Sequence, residues 1–114
     1  MENYLINQAT HYVNIMYPLE DLTLTMVSSH CGVHPSHLSR TFRSETGECF
    51  TSYLNSLRLS KAVALAMSGE LMYVTAEKIG FSDPYYFGRC YKKYFGVNYS
   101  EFSRICRESG LYKA

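Results

Sequence analysis

Two groups of polar and cationic residues stand at helical spacing in this 114-residue sequence. Ser36, Ser39, Arg40 and Arg43 follow at i, i+3, i+4 and i+7, and so do Tyr85, Gly88, Arg89 and Lys92. Each group therefore shares one face of an α-helix. A guanidinium on such a face suits bidentate pairing with the O6 and N7 of guanine, and Arg40 and Arg89 are the candidates. Ser36 and Ser39 can hydrogen-bond several base edges, so they would specify weakly. Tyr85 is suited either to packing on a thymine methyl or to reaching a phosphate, and Gly88 to close approach. His37, Arg43, Tyr86, Lys92, Lys93 and Arg104 suit phosphate contacts, which position a protein on a duplex without reading its sequence.

Such faces need helices that turn their backs on a core, and the spacing predicts them. Apolar residues recur with helical period throughout, Gly and Pro punctuate them, and no segment reads as a strand. Leu5, Ala9, Tyr12 and Met16 mark a first helix that stops before Pro18. A second runs from about Leu22 to His30 and ends near Gly32. Pro35 suits the first position of a third, which carries Leu38 and Phe42 inward and ends before Gly47. A longer helix covers Phe50 to about Met67, with Tyr53, Leu57, Lys61/Ala62 and Leu65 along it. A short one follows from about Tyr73 to Ile79. Asp83 as N-cap and Pro84 at the first turn open the next, to about Phe95. A last helix begins near Tyr99 or Ser100. The expectation is an all-α fold of seven helices.

The chain also repeats itself. At an offset of 48, Ser28 and Gly32 match Ala76 and Gly80. At 49, Pro35, Leu38, Arg40, Phe42, Gly47, Phe50 and Tyr53 match Pro84, Phe87, Arg89, Tyr91, Gly96, Tyr99 and Phe102. The step from 48 to 49 places one extra residue in the second turn. Two short helices joined by a Gly-containing turn form a helix-turn-helix, whose second helix fits the major groove. The expected organisation is a first helix-turn-helix subdomain over 1–49, a linker helix over 50–68 and a second subdomain over 69–114.

The net charge of +1 conceals a segregated distribution. Residues 1–35 carry −3, 36–61 carry +2, 62–83 carry −2 and 84–113 carry +4. Screening removes charges beyond about 8 Å at physiological salt, so a polyanion meets the local field and not the total. The 46% hydrophobic content excludes a disordered chain. The longest apolar run, Ala62 to Met67, is too short for a bilayer, and no secretory leader is visible. Cys31, Cys49, Cys90 and Cys106 have no paired spacing, which reads as reduced thiols in a cytoplasmic protein.

Ile79-Gly80-Phe81-Ser82-Asp83-Pro84-Tyr85-Tyr86-Phe87-Gly88-Arg89, followed by Tyr91-Lys92-Lys93-Tyr94-Phe95-Gly96, resembles the signature of AraC/XylS-type bacterial transcription regulators in their DNA-binding domain. Gly32-Val33, Leu38-Ser39-Arg40, Phe42-Arg43, Gly47, Phe50 and Tyr53-Leu54 match as well, and Arg58-Leu59 with Ala62 and Leu65 resembles the linker helix. The chain departs from the pattern at four positions. His34 stands where a Ser cap is frequent, Ser28 for Ala, Thr75 for Ile and Tyr99 for Pro. The resemblance implies sequence-specific binding of double-stranded DNA, with two recognition helices entering successive major-groove segments. It implies no catalysis and no cofactor. It also implies an N-terminal sensor or receiver domain, expected to lie outside this sequence, and RNA polymerase as a further partner.

Other readings compete. Cys31, His34 and His37, beside His30, have a spacing that suggests a metal site. Zinc needs four ligands, and no second half is visible. Cys31 is instead expected to pack near the turn while His34 caps the third helix. The eleven tyrosines suggest stacking on single strands, yet most fall where core positions or outward-reaching hydroxyls are expected. Arg58 and Lys61 read as solvated residues of the linker helix, and Arg104 and Arg107 read as well as a solvated face. A helical protein-interaction module, docking RNA polymerase or a sensor domain through the acidic first helix, is the alternative function. No nucleophile, base and orienting group come together as an enzyme would need.

Overall fold

The computed structural model describes residues 3–110, and every regular element among them is an α-helix. The order is α1 (Tyr4–Met16), α2 (Leu24–Cys31), α3 (Pro35–Thr46), α4 (Phe50–Met67), α5 (Met72–Ile79), α6 (Pro84–Phe95) and α7 (Tyr99–Ser109). No described helix is long and apolar enough to cross a membrane.

Side chains set most of the starts. Asn3, Thr23 and Asn98 each accept a hydrogen bond from a first-turn amide, those of Ile6, Met26 and Glu101. This satisfies donors that a helix leaves without partners. Thr23 is why α2 begins at Leu24, two residues later than Leu22; Leu22 precedes the helix and is buried. Asn98 likewise fixes the start of α7 at Tyr99.

The chain divides after Leu57 into two packed units, so α4 begins in the first and ends in the second. In the first unit the core is Ile6, Ala9, Val13, Leu22, Val27, Leu38, Phe42, Phe50 and Leu54. Phe42 meets Phe50 and Tyr53 edge-on, with ring centroids 6.0 and 5.1 Å apart. The buried face of α1 is thus centred on Ile6, Ala9 and Val13, and Leu5, Tyr12 and Met16 flank it half-buried. In the second unit Phe87, Tyr91 and Tyr99 form an aromatic triad with centroids 5.1–5.9 Å apart. Edge-to-face rings at these separations add to area burial.

One expectation of solvent exposure needs correction. Arg58 is not a solvated residue: only 6% of it is exposed. It belongs to a buried stripe at intervals of four, Leu54, Arg58, Ala62 and Ala66, and its guanidinium carbon lies 5.9 Å from the Phe81 ring centroid. A flat, weakly hydrated cation with an apolar stem tolerates that place where an ammonium would not. Lys61 is exposed as expected. The tyrosines are graded in exposure. Tyr91 and Tyr99 are buried and Tyr12, Tyr17 and Tyr53 half-buried, whereas Tyr4, Tyr73, Tyr85, Tyr86 and Tyr94 are exposed. Tyr112 lies outside the described residues.

Candidate nucleic-acid interface

The two turns that present α3 and α6 are built alike. After α2, Gly32 takes φ +71° and donates to Ser29 O at 3.2 Å, while Val33 N donates to Ser28 O at 3.0 Å. After α5, Gly80 takes φ +97° and donates to Glu77 O at 3.3 Å, while Phe81 N donates to Ala76 O at 2.9 Å. Both are Schellman turns, which need the left-handed conformation that glycine adopts without a Cβ penalty. Ser28 and Ala76, the small residues of the repeat, are each 1% exposed. The Ser28 hydroxyl is satisfied by Thr25 O at 2.9 Å.

Capping differs between the units. Asp83 accepts the Tyr85 amide at 2.9 Å. In the first unit His34 does this work, its Nδ1 accepting the Ser36 amide at 3.2 Å and lying 2.8 Å from Ser36 Oγ. The amide can only donate, so Nδ1 carries the lone pair and the Ser36 hydroxyl donates to it as well. Ser36 Oγ is left as an acceptor toward any partner.

Leu38 and Phe42 anchor α3, and Phe87 and Tyr91 anchor α6, each 2% exposed or less. The opposite faces are open. Ser36, His37, Ser39, Arg40 and Arg43 are all exposed on α3, and Tyr85, Tyr86, Arg89, Lys92 and Lys93 on α6. Each unit thus gathers its predicted residues on one helix. Two residues stand apart. Gly88 is half-buried, and a Cβ there would come 3.0 Å from Met72 Sδ, so it lets α6 approach α5 closely. Arg104 is exposed on α7, off the α6 face. Arg107 is tied down, donating to Gly69 O at 2.7 Å.

The electrostatics of both faces are cationic. Residues 84–95 contain Arg89, Lys92 and Lys93 and no carboxylate, and α3 carries Arg40 and Arg43 with Glu45 at its far end. Glu70, held below the usual carboxylate range mainly by the Leu71 amide, pairs with Lys78 at 3.3 Å. Hydrogen bonding with Ser52 lowers the Cys49 thiol, with a smaller contribution from Arg43.

One relationship was not foreseen. The Arg89 guanidinium carbon lies 5.8 Å from the centroid of the Tyr86 ring. Residues at i and i+3 are neighbours on a helix, which is the signal in the sequence for this pair, whereas residue type alone suggests separate contacts for a tyrosine and an arginine.

Comparison with known proteins agrees with this architecture. A family model described as a helix-turn-helix domain matches residues 27–105. The arabinose operon regulatory protein of Escherichia coli (strain K12) is 30% identical over 104 residues, covering 90% of this chain and 36% of that protein. The uncharacterized transcriptional regulatory protein YesN of Bacillus subtilis (strain 168) is 40% identical over 75 residues, covering 63% of this chain and 20% of that protein. The solved C-terminal domain of AraT, a response regulator from Geobacillus stearothermophilus, superposes with a TM-score of 0.81 at 28% identity, covering 90% of this chain and 86% of that one. The chain spans about a third of the first relative's length and a fifth of the second's.

Proposed function

The chain belongs to the AraC/XylS-type family of helix-turn-helix DNA-binding domains of transcription regulators, and from that premise we propose how its surface reads a duplex. The observation that carries the reading is the duplicated outward face: Ser39, Arg40 and Arg43 on α3, and Tyr85, Arg89 and Lys92 on α6, each opposite a buried aromatic anchor. An α-helix of about 10–12 Å diameter fits a major groove about 12 Å wide. In this reading α3 and α6 enter successive major-groove segments. Arg40 and Arg89 pair with guanine, and Ser36, Ser39 and Tyr85 meet neighbouring bases. Ser36, offering an acceptor, favours the amino groups of adenine or cytosine. Gly88 acts through packing, seating α6 close against Met72 of α5. His37, Arg43, Lys92, Lys93, Arg104 and the Tyr86 hydroxyl meet phosphates.

The longer relatives support a place for this domain within a regulator that carries a sensor or receiver domain. RNA polymerase as partner and a cytoplasmic location follow from that reading. It gives the chain no reaction to catalyse.

Fluorescence anisotropy on duplex DNA across a salt series tests the proposal. Binding should be tight at low salt and weaken log-linearly, with a slope of about 0.9 per phosphate contact. Absence of binding at low salt, or affinity indifferent to salt, would overturn it.

A further inference from the structure

The Tyr86 ring occupies a position that a phosphate contact alone does not explain. It lies 6.0 Å from the Phe81 ring, centroid to centroid. Phe81 is 5% exposed and sits 5.3 Å from Phe87, the buried anchor of α6. One side of the phenol ring is therefore fixed to the interior. Tyr86 itself is 43% exposed, and the Arg89 guanidinium stands within cation–π range of it, one helical turn further on. An exposed arginine samples many rotamers, and a bidentate base contact requires one of them. A ring with a planar, fixed face narrows that choice before DNA arrives, so less freedom is lost on binding.

We propose that the Tyr86 ring is a positioning residue for Arg89 and sets the strictness with which that arginine reads its base pair. The inference rests on the reading of α6 as a recognition helix, and it concerns the ring, whereas any phosphate contact concerns the hydroxyl. The two are separable by substitution. Tyr86→Phe keeps the ring and removes the hydroxyl; Tyr86→Leu removes the ring.

The base pair read by Arg89 is the one at which Arg89→Ala relaxes preference in anisotropy titrations on a selected duplex and its single-base variants. Tyr86→Phe should keep the wild-type preference there, even if affinity for all duplexes falls together through loss of the hydroxyl. Tyr86→Leu should lower the preference at that one base pair about two- to fivefold, the range expected of an exposed cation–π contact. In an Arg89→Ala background, Tyr86→Leu should change the preference no further. Undiminished preference in Tyr86→Leu overturns the proposal, as does an equal loss in Tyr86→Phe.

A second measurement needs neither DNA nor a well-folded leucine variant. In proton NMR of the free wild-type chain, the Arg89 side-chain protons should be displaced from ordinary arginine shifts by the ring current, and remain so in Tyr86→Phe. Ordinary shifts in the wild type would overturn the proposal directly. Failure of the wild type to bind any duplex would instead defeat the recognition-helix reading, and the NMR result would still report whether ring and guanidinium meet.

Discussion

The hydroxyl of Tyr99, at the first position of α7, is hydrogen-bonded to the hydroxyl of Thr75 on α5, 24 residues earlier, and donates to Glu70 O at 3.0 Å. A phenol has one proton, so Thr75 is the donor to Tyr99. Both side chains are buried, Tyr99 at 1% and Thr75 at 0% exposure. The resemblance noted in the sequence leads to Ile and Pro at these two positions, and Thr and Tyr stand there instead. The departures are partners: a hydroxyl buried on α5 is tolerable because the first residue of α7 brings another to meet it.

This pairing predicts coupling. Tyr99→Phe leaves the Thr75 hydroxyl and the Glu70 carbonyl without that partner, and should cost about 1–3 kcal/mol. Thr75→Val, of similar shape, removes the other hydroxyl. In the double variant the buried polar groups go together, so its cost should fall short of the sum by at least about 0.5 kcal/mol. Urea unfolding of the four proteins measures this, and additive costs would show that the two hydroxyls act independently.

The same burial predicts alkaline sensitivity. Desolvation pushes the Tyr99 hydroxyl up to about 12, with the Thr75 hydrogen bond opposing. An unfolded tyrosine ionises near pH 10. The folded state therefore holds the proton more tightly. Stability from Tyr99 is fully present below pH 10 and is lost as pH rises from about 10 to about 12, by on the order of 2 kcal/mol. Burial raises Tyr91 in the same direction. Urea midpoints followed from pH 8 to 11.5 should fall less steeply in Tyr99→Phe than in the wild type; parallel curves would contradict the assignment.

Glycines with similar backbone angles should differ sharply in what alanine costs. Gly69 has φ +83°, and a Cβ there would come 2.6 Å from Arg107 Cβ and 3.0 Å from Arg107 Cα. Arg107 in turn donates to Gly69 O. Gly96 has φ +78° and nothing within 4 Å of its would-be Cβ. Gly96→Ala should cost only the left-handed backbone penalty, about 1–2 kcal/mol. Gly69→Ala adds displacement of the α7 backbone, a further 1–3 kcal/mol or so. Thermal melts of the two variants compare them, and equal losses would mean that α7 yields freely.

Why these contacts escaped the sequence while the frame did not has a physical basis. Helix ends are local events: Pro35 and Pro84 at first turns, Asp83 as cap, and Gly32, Gly47, Gly80 and Gly96 at positive φ are each legible within a few residues. The outward faces of α3 and α6 were legible for the same reason, since the repeat fixes which side Leu38, Phe42, Phe87 and Tyr91 must bury. What escaped depends on distant partners. Arg58 carries a charge, and residue type alone argued for solvent; its place on the stripe with Leu54, Ala62 and Ala66 decided otherwise. Thr75 and Tyr99 looked like two separate irregularities because nothing local joins them. The face of α1 shifted by one residue, because helical period admits both Leu5 and Ile6 and only packing against the other helices chooses.

The division between reading and anchoring on α6 yields the last prediction. Arg89 and Lys92 are both exposed and three positions apart, yet their chemistry differs. The arginine's planar fork can meet two acceptors of one guanine, whereas the lysine is a point charge suited to phosphate. Arg89→Ala should weaken binding to the selected site and relax preference at one base pair, by about 1–3 kcal/mol of discrimination. Lys92→Ala should weaken binding almost uniformly on all duplexes and reduce the magnitude of the salt slope by about one. Anisotropy titrations on matched and single-base-changed duplexes at several salt concentrations separate the two signatures. If Arg89→Ala lowers affinity equally on every duplex and lowers the slope as Lys92→Ala does, Arg89 is a phosphate contact, and sequence reading by α6 falls to its remaining exposed side chains.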